Sequence, residues 1–205
     1  MDREWADGTT RVDRRRPPSQ LRYGGGAAVI ILWGCVAAGM DRTGLGFFDD
    51  RPVSYLGTDP RSALVFRGGL VAAAVLMAGF AWFVGHWFAS PRSFLVVFLT
   101  GLLGQVVAAG VRLTGPGPSH AVHTVGGLVL GASLPLLMWR FAAGLPVGSR
   151  RRAWGYGLCR IELAACVVGV GLSASGRAPI AEIVPALGFH LWVAVVTAWS
   201  AGPGP

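Results

Sequence analysis

Apolar residues in this chain come in runs far longer than one buried face of a soluble helix or strand requires. Residues 24 to 41, 63 to 88, 93 to 113, 121 to 144, 153 to 174 and 180 to 201 are each nearly free of charge. About 20 apolar residues in a helix cross a hydrocarbon core roughly 30 Å thick. Within that core every backbone N–H and C=O must be satisfied internally, which selects helix over isolated strands. The pattern predicts an all-α fold: a polytopic integral membrane protein with a six-helix transmembrane bundle. Residues 1 to 22 are polar, proline-containing and aperiodic, as expected of a disordered basic arm. Residues 42 to 62 form a longer loop between the first two spans.

Composition agrees with this reading. The chain has 205 residues, 53% of them hydrophobic and only 14% charged, against about 25% charged in soluble domains. Every basic residue is Arg, and the net charge of +8 is concentrated in runs such as Arg14 to Arg16 and Arg150 to Arg152. These runs flank apolar spans without interleaved aromatics, so they read as topology signals and not as a nucleic-acid surface. Arg14, Arg15, Arg16, Arg22, Arg92 and Arg150 to Arg152 fall on one side of the six spans. Arg42, Arg51, Arg61, Arg112 and Arg177 are spread more thinly on the other, among Asp41, Asp49, Asp50 and Asp59. The asymmetry predicts cytoplasmic N- and C-termini and a multi-pass protein of the plasma membrane. A competing reading treats the first span as a cleaved signal peptide, with Ala37 and Gly39 as small residues near the cut, leaving five spans.

Cys35, Cys159 and Cys166 each sit inside an apolar run without metal-ligand spacing, and read as packing residues. Gly127 and Gly131 form a GxxxG pair, and Gly101, Gly104, Gly169 and Gly171 lie in other spans. Small residues at these places predict close helix contacts.

The costly polar residues gather at the outer ends of the spans: Asp41, Arg67, Gln105, Arg112, His120, His123, Arg177 and Glu182. Ionisable groups in a bilayer usually face the bundle interior or a watery cavity, so a polar pocket opening outward is expected. The stretch RPVSYLGTDPRSALVF, residues 51 to 66, adds Ser54, Thr58 and Asp59 to that end. Asp59 followed by Pro60 predicts a capped helix start, with Arg61 and Arg67 beside a positive helix end that suits an anion. Arg67 is equally expected to pair with Asp59 or Glu182 for structural reasons. His120 and His123, three apart, have no evident third ligand, and no metal is expected. Arg160 and Glu162, two apart in the fifth span, each require a partner on another helix or at the interface. His190, mid-span, has no obvious mate and reads as a buried, neutral, hydrogen-bonded residue.

With these residues in hand, the chain resembles the bacterial domain-of-unknown-function family 998 (DUF998), six-span proteins distantly like the DRAM and Frag-type proteins. The resemblance rests on PVSYLGTDPRSALVFRGGLVAAAVL, on HAVHTVGGLVLGASLPLLMW and on PIAEIVPALGFHLWVAVVTAW, and covers roughly residues 25 to 200. Where that family places Arg or a similar polar residue after the last-span Glu, this chain has Ile183. The resemblance implies fold and topology more than activity.

The leading functional expectation is non-enzymatic: a lipid headgroup or other amphiphile held in the outward pocket by Arg61, Arg67, Arg112, His123 and Glu182, for transport or as an envelope accessory. Membrane lipids, an envelope protein or a second copy of the chain are the expected partners; no cofactor is expected. One alternative is an intramembrane lipid hydrolase or transferase, with Ser54 as nucleophile and His123 as its base, oriented by Glu182 or Asp59. The other is a haem carrier using His86, His123 or His190.

Overall fold

The computed structural model describes residues 18–111 and 117–202. Residues 1–17 of the basic arm and Arg112 lie outside the described residues. Six helices follow in order: α1 (Gly24–Thr43, preceded by a 3₁₀ turn at Ser19–Tyr23), α2 (Ala63–Trp87), α3 (Arg92–Gly110), α4 (Pro118–Gly144), α5 (Arg150–Ala174) and α6 (Ala178–Ala201). All six are long and apolar enough to cross a membrane. A second 3₁₀ turn, Val53–Gly57, lies in the α1–α2 loop, and no strand occurs among the described residues.

The ends of these helices follow local chemistry. α1 stops at Gly44, whose φ of 71° is open to glycine and lets its N–H close on the Met40 carbonyl. The expected helix start at Pro60 is corrected: α2 begins at Ala63, after Ser62. The Asp59 carboxylate accepts from the Arg61 N–H, and the Asp59 carbonyl accepts from the N–H groups of Ser62 and Ala63. Pro60 therefore belongs to a turn that leads into the helix.

Each helix packs on its neighbour in sequence, and α6 returns to α1, closing a ring. The two halves of this ring differ. Toward the termini it is filled by Phe80, Phe94, Phe98, Phe141, Phe189 and Trp192, all buried. Trp192 meets each of the other five rings at centroid distances between 5.4 and 6.4 Å, mostly edge-on or tilted. Such contacts add about 0.5–1.5 kcal/mol per pair beyond simple burial.

The other half is organised by glycines. A Cβ on Gly104 would lie 2.7 Å from the Gly126 carbonyl oxygen, and one on Gly126 would lie 2.9 Å from that of Gly104. The backbones of α3 and α4 touch there. Gly101 yields to Ser133 and Gly169 to the Ala181 carbonyl in the same way. The GxxxG pair does not: a Cβ on Gly127 or Gly131 meets nothing within 4 Å, and neither does one on Gly171 of α5. The close contact falls one residue before the motif, on Gly126, and the motif glycines turn away from it.

Candidate functional site

The loop over this second half is held by its own charges. Arg51 reaches both Asp49 oxygens through Nε and Nη2, at 3.1 and 2.7 Å, and Arg61 grips Asp59 in the same way, at 3.1 and 2.8 Å. The Arg61 side chain and its backbone N–H hold the Asp59 carboxyl down to about 2. Asp49 is lowered further by Arg51, chiefly through the side-chain hydrogen bond. Ser62 Oγ, fully buried, donates to the Leu56 carbonyl at 2.8 Å. Val53 and Leu56 pack beneath the loop with Val36, Leu45, Phe66 and Ile183. The loop is thereby a folded cover.

The 3₁₀ turn Val53–Gly57 leaves the Ser54 N–H at its start without a partner inside the turn. Glu182 of α6 supplies one. Its Oε2 accepts from Ser54 N and its Oε1 from Ser54 Oγ, both at 2.9 Å. A carboxylate on the last helix thus latches the cover.

Behind this latch lie two adjoining cavities. The outer, of about 290 Å³, is bounded by Ser54 and Gly57 of the cover and by Gln105, His123, Gly127, Gly131 and Glu182 of the helices. The inner, of about 180 Å³, runs between Trp33, Met77, Phe98, Leu137, Phe189 and His190. Leu70, Gln105, Leu134 and Glu182 are walls of both. Gly127 and Gly131, having no side chain, leave the outer space open. Glu182 is exposed, and part of its surface faces the outer cavity.

Three hydrogen bonds fix the polar walls. Gln105 Nε2 donates to the Leu70 carbonyl at 2.8 Å. His123 Nδ1 lies 2.9 Å from the Ala108 carbonyl, which can only accept, so that nitrogen carries the hydrogen. His190, expected to be hydrogen-bonded but with no mate evident along the chain, accepts from Trp33 Nε1 on its Nδ1 at 3.0 Å across α1 and α6. Sequence reasoning placed Gln105 at the correct end without giving it a role. It missed the Trp33–His190 pair, which no spacing signals.

The remaining predicted residues fall elsewhere. Arg61 is committed to Asp59, with its side chain 60% exposed on the loop. Arg67 pairs with neither Asp59 nor Glu182, whose contacts run to Arg61 and to Ser54. Its Nε and Nη2 are buried with no partner among the described residues, and it stands beside Gly57. Arg112 lies outside the described residues. His120 is exposed, and His86 is exposed near the opposite end of α2, its Nδ1 on the Trp82 carbonyl. His86, His123 and His190 therefore sit in three separate surroundings, and no axial pair is formed.

Ser54, His123 and Glu182 do converge on one cavity, but not in the order expected. The Ser54 hydroxyl is on Glu182, and the His123 Nδ1–H is on a backbone carbonyl. Glu162 also departs from expectation. It is fully buried and finds its contact on its own helix, where Cys166 Sγ lies 3.7 Å from Oε1. Gly188 of α6 makes the room for its Oε2.

A family model described as a protein of unknown function (DUF998) matches residues 25–203. The chain belongs to the DUF998 family. All six helices and both cavities of this DUF998 protein lie almost wholly within the matched residues. No curated protein and no solved structure matches the chain, so the wider likeness to DRAM and Frag-type proteins gains no support.

Proposed function

We propose that this protein binds a single-chain amphiphile inside its helix ring. The apolar chain occupies the inner cavity, and the polar head lies among Ser54, Gln105, His123 and Glu182. With the termini in the cytoplasm, as the Arg asymmetry favours, this mouth opens to the outer face of the plasma membrane. Such a site suits lipid transport or an accessory role in the cell envelope. Arg61 on the exposed loop, with Arg67 behind it, then meets headgroup phosphates of the surrounding lipid.

The observation that carries this reading is the pair of adjoining cavities, both walled mainly by apolar side chains, with Ser54, Gln105, His123 and Glu182 placed around the outer one. Ligand sites have this character: a mostly apolar concavity with a few placed polar groups. Native mass spectrometry of the protein released from membranes tests it. The wild type is expected to retain an amphiphile. Gly131→Leu, whose side chain enters the outer cavity from a position with nothing within 4 Å, is expected to lose it while keeping the wild-type helix content by circular dichroism. Equal retention by both refutes the reading.

The 2.9 Å contact of Ser54 Oγ with Glu182 Oε1 favours a second reading, a lipid hydrolase or transferase in which Glu182 takes the hydroxyl proton. Labelling of Ser54 by a fluorophosphonate probe, absent in Ser54→Ala and Glu182→Gln, is the outcome it requires.

A further inference from the structure

The hydrogen-bonding capacity left over at the mouth is unevenly divided between donors and acceptors. The Ser54 and Ser133 hydroxyls spend their hydrogens on Glu182 and on the Leu130 carbonyl. Because the Leu70 carbonyl can only accept, the Gln105 amide nitrogen must face it, which leaves the amide oxygen turned elsewhere. That oxygen has no partner among the described residues. With Nδ1–H committed to Ala108, a neutral His123 presents Nε2 as a lone pair. Glu182 adds two carboxylate oxygens, each holding one Ser54 contact and able to accept another. One amide hydrogen of Gln105 is the donor that remains among these mouth groups.

Charge is divided in the same way. The chain contains no Lys, and among the described residues no Arg lines either cavity. The ion pairs found among the described residues, Arg51 with Asp49 and Arg61 with Asp59, leave Glu182 without an Arg partner. A carboxylate in low-dielectric surroundings is strongly favoured by a cation that also donates hydrogen bonds.

We infer that the head of the bound amphiphile is a protonated amine, its ammonium hydrogens shared among Glu182, the Gln105 amide oxygen and His123 Nε2. This deepens the amphiphile reading and rests on it. It also reverses the expectation of an anionic head, since Arg61 and Arg67, which motivated it, are on the loop or behind it and line neither cavity.

The test places wild type and Glu182→Gln in phosphatidylcholine nanodiscs at pH 8. Each is titrated with dodecylamine, dodecanol and dodecyl phosphate, with empty nanodiscs correcting for partition, and the thermal midpoint is followed against concentration. A charge-assisted hydrogen bond is roughly twice as strong as a neutral one. Dodecylamine is therefore expected to half-saturate wild type at about a tenth of the dodecanol concentration, and Glu182→Gln is expected to remove that difference. A tighter dodecyl phosphate, or amine and alcohol ranked alike in wild type, overturns the inference while leaving the chamber reading intact. If none of the three shifts wild type, the chamber reading fails and takes this one with it. Should Glu182→Gln not fold, the wild-type ranking of the three heads decides alone.

Discussion

Replacing Gly126 with alanine puts a Cβ 2.9 Å from the Gly104 carbonyl oxygen and 3.1 Å from the Ala108 nitrogen. Both are backbone atoms, so no side chain can swing aside. Ordinary contact begins at 3.4 Å, so α3 and α4 must part by about 0.5 Å at this crossing. A gap of that size already forfeits about a quarter of each dispersion contact it opens, and overpacking of this kind costs about 1–3 kcal/mol. Alanine also gains about 0.8–1.0 kcal/mol over glycine in a helix interior, which would mask part of the loss. Gly127 is the internal control, since it stands in the same helix, gains the same propensity and has nothing within 4 Å of its added Cβ. Gly126→Ala is therefore expected to be less stable than Gly127→Ala by about 1–3 kcal/mol, measured by reversible unfolding in mixed micelles. Gly104→Ala should resemble Gly126→Ala, and the double variant should lose less than the sum, because one separation relieves both clashes. Equal stability of Gly126→Ala and Gly127→Ala would refute the backbone contact. Full additivity would place the two glycines in separate contacts.

Ser54→Ala removes the hydroxyl from Glu182 and should loosen the cover by about 1 kcal/mol, seen as faster hydrogen exchange of the Val53–Gly57 turn with the core unchanged. Asp59 has a folded pKa of about 2, below its ordinary 3.8, so its contribution is fully present above 3.8 and is lost as pH falls through 2. Limited proteolysis of the loop should accordingly accelerate between pH 4 and pH 2, and Asp59→Asn should reduce that dependence to the part carried by Asp49. Gly188→Ala drives a Cβ onto Glu162 Oε2, which is fully buried, and should destabilise by about 1–3 kcal/mol. Adding Glu162→Ala should restore most of the loss, and no recovery would mean that the carboxylate does not fill that space.

The six spans, the all-α class and the α1–α2 loop were legible along the chain because membrane partition is a local property. Each segment meets the hydrocarbon on its own composition and must satisfy its own backbone. The level of the site was legible for the same reason, since polar residues collect at span ends, and Ser54, His123 and Glu182 share an end in any six-span threading. Which way each helix faces was not legible. Successive residues turn by about 100° around a helix axis, and in a bilayer the lipid side is as apolar as the packed side, so hydropathy carries no signal of rotation. Tertiary packing alone put Gly126 and not Gly127 against α3, brought Trp33 to His190, and gave Glu182 to Ser54 instead of to Arg67. Those choices depend on contacts between residues as much as 157 positions apart, and they decide that the polar mouth predicted from the spans accepts hydrogen bonds more than it donates them.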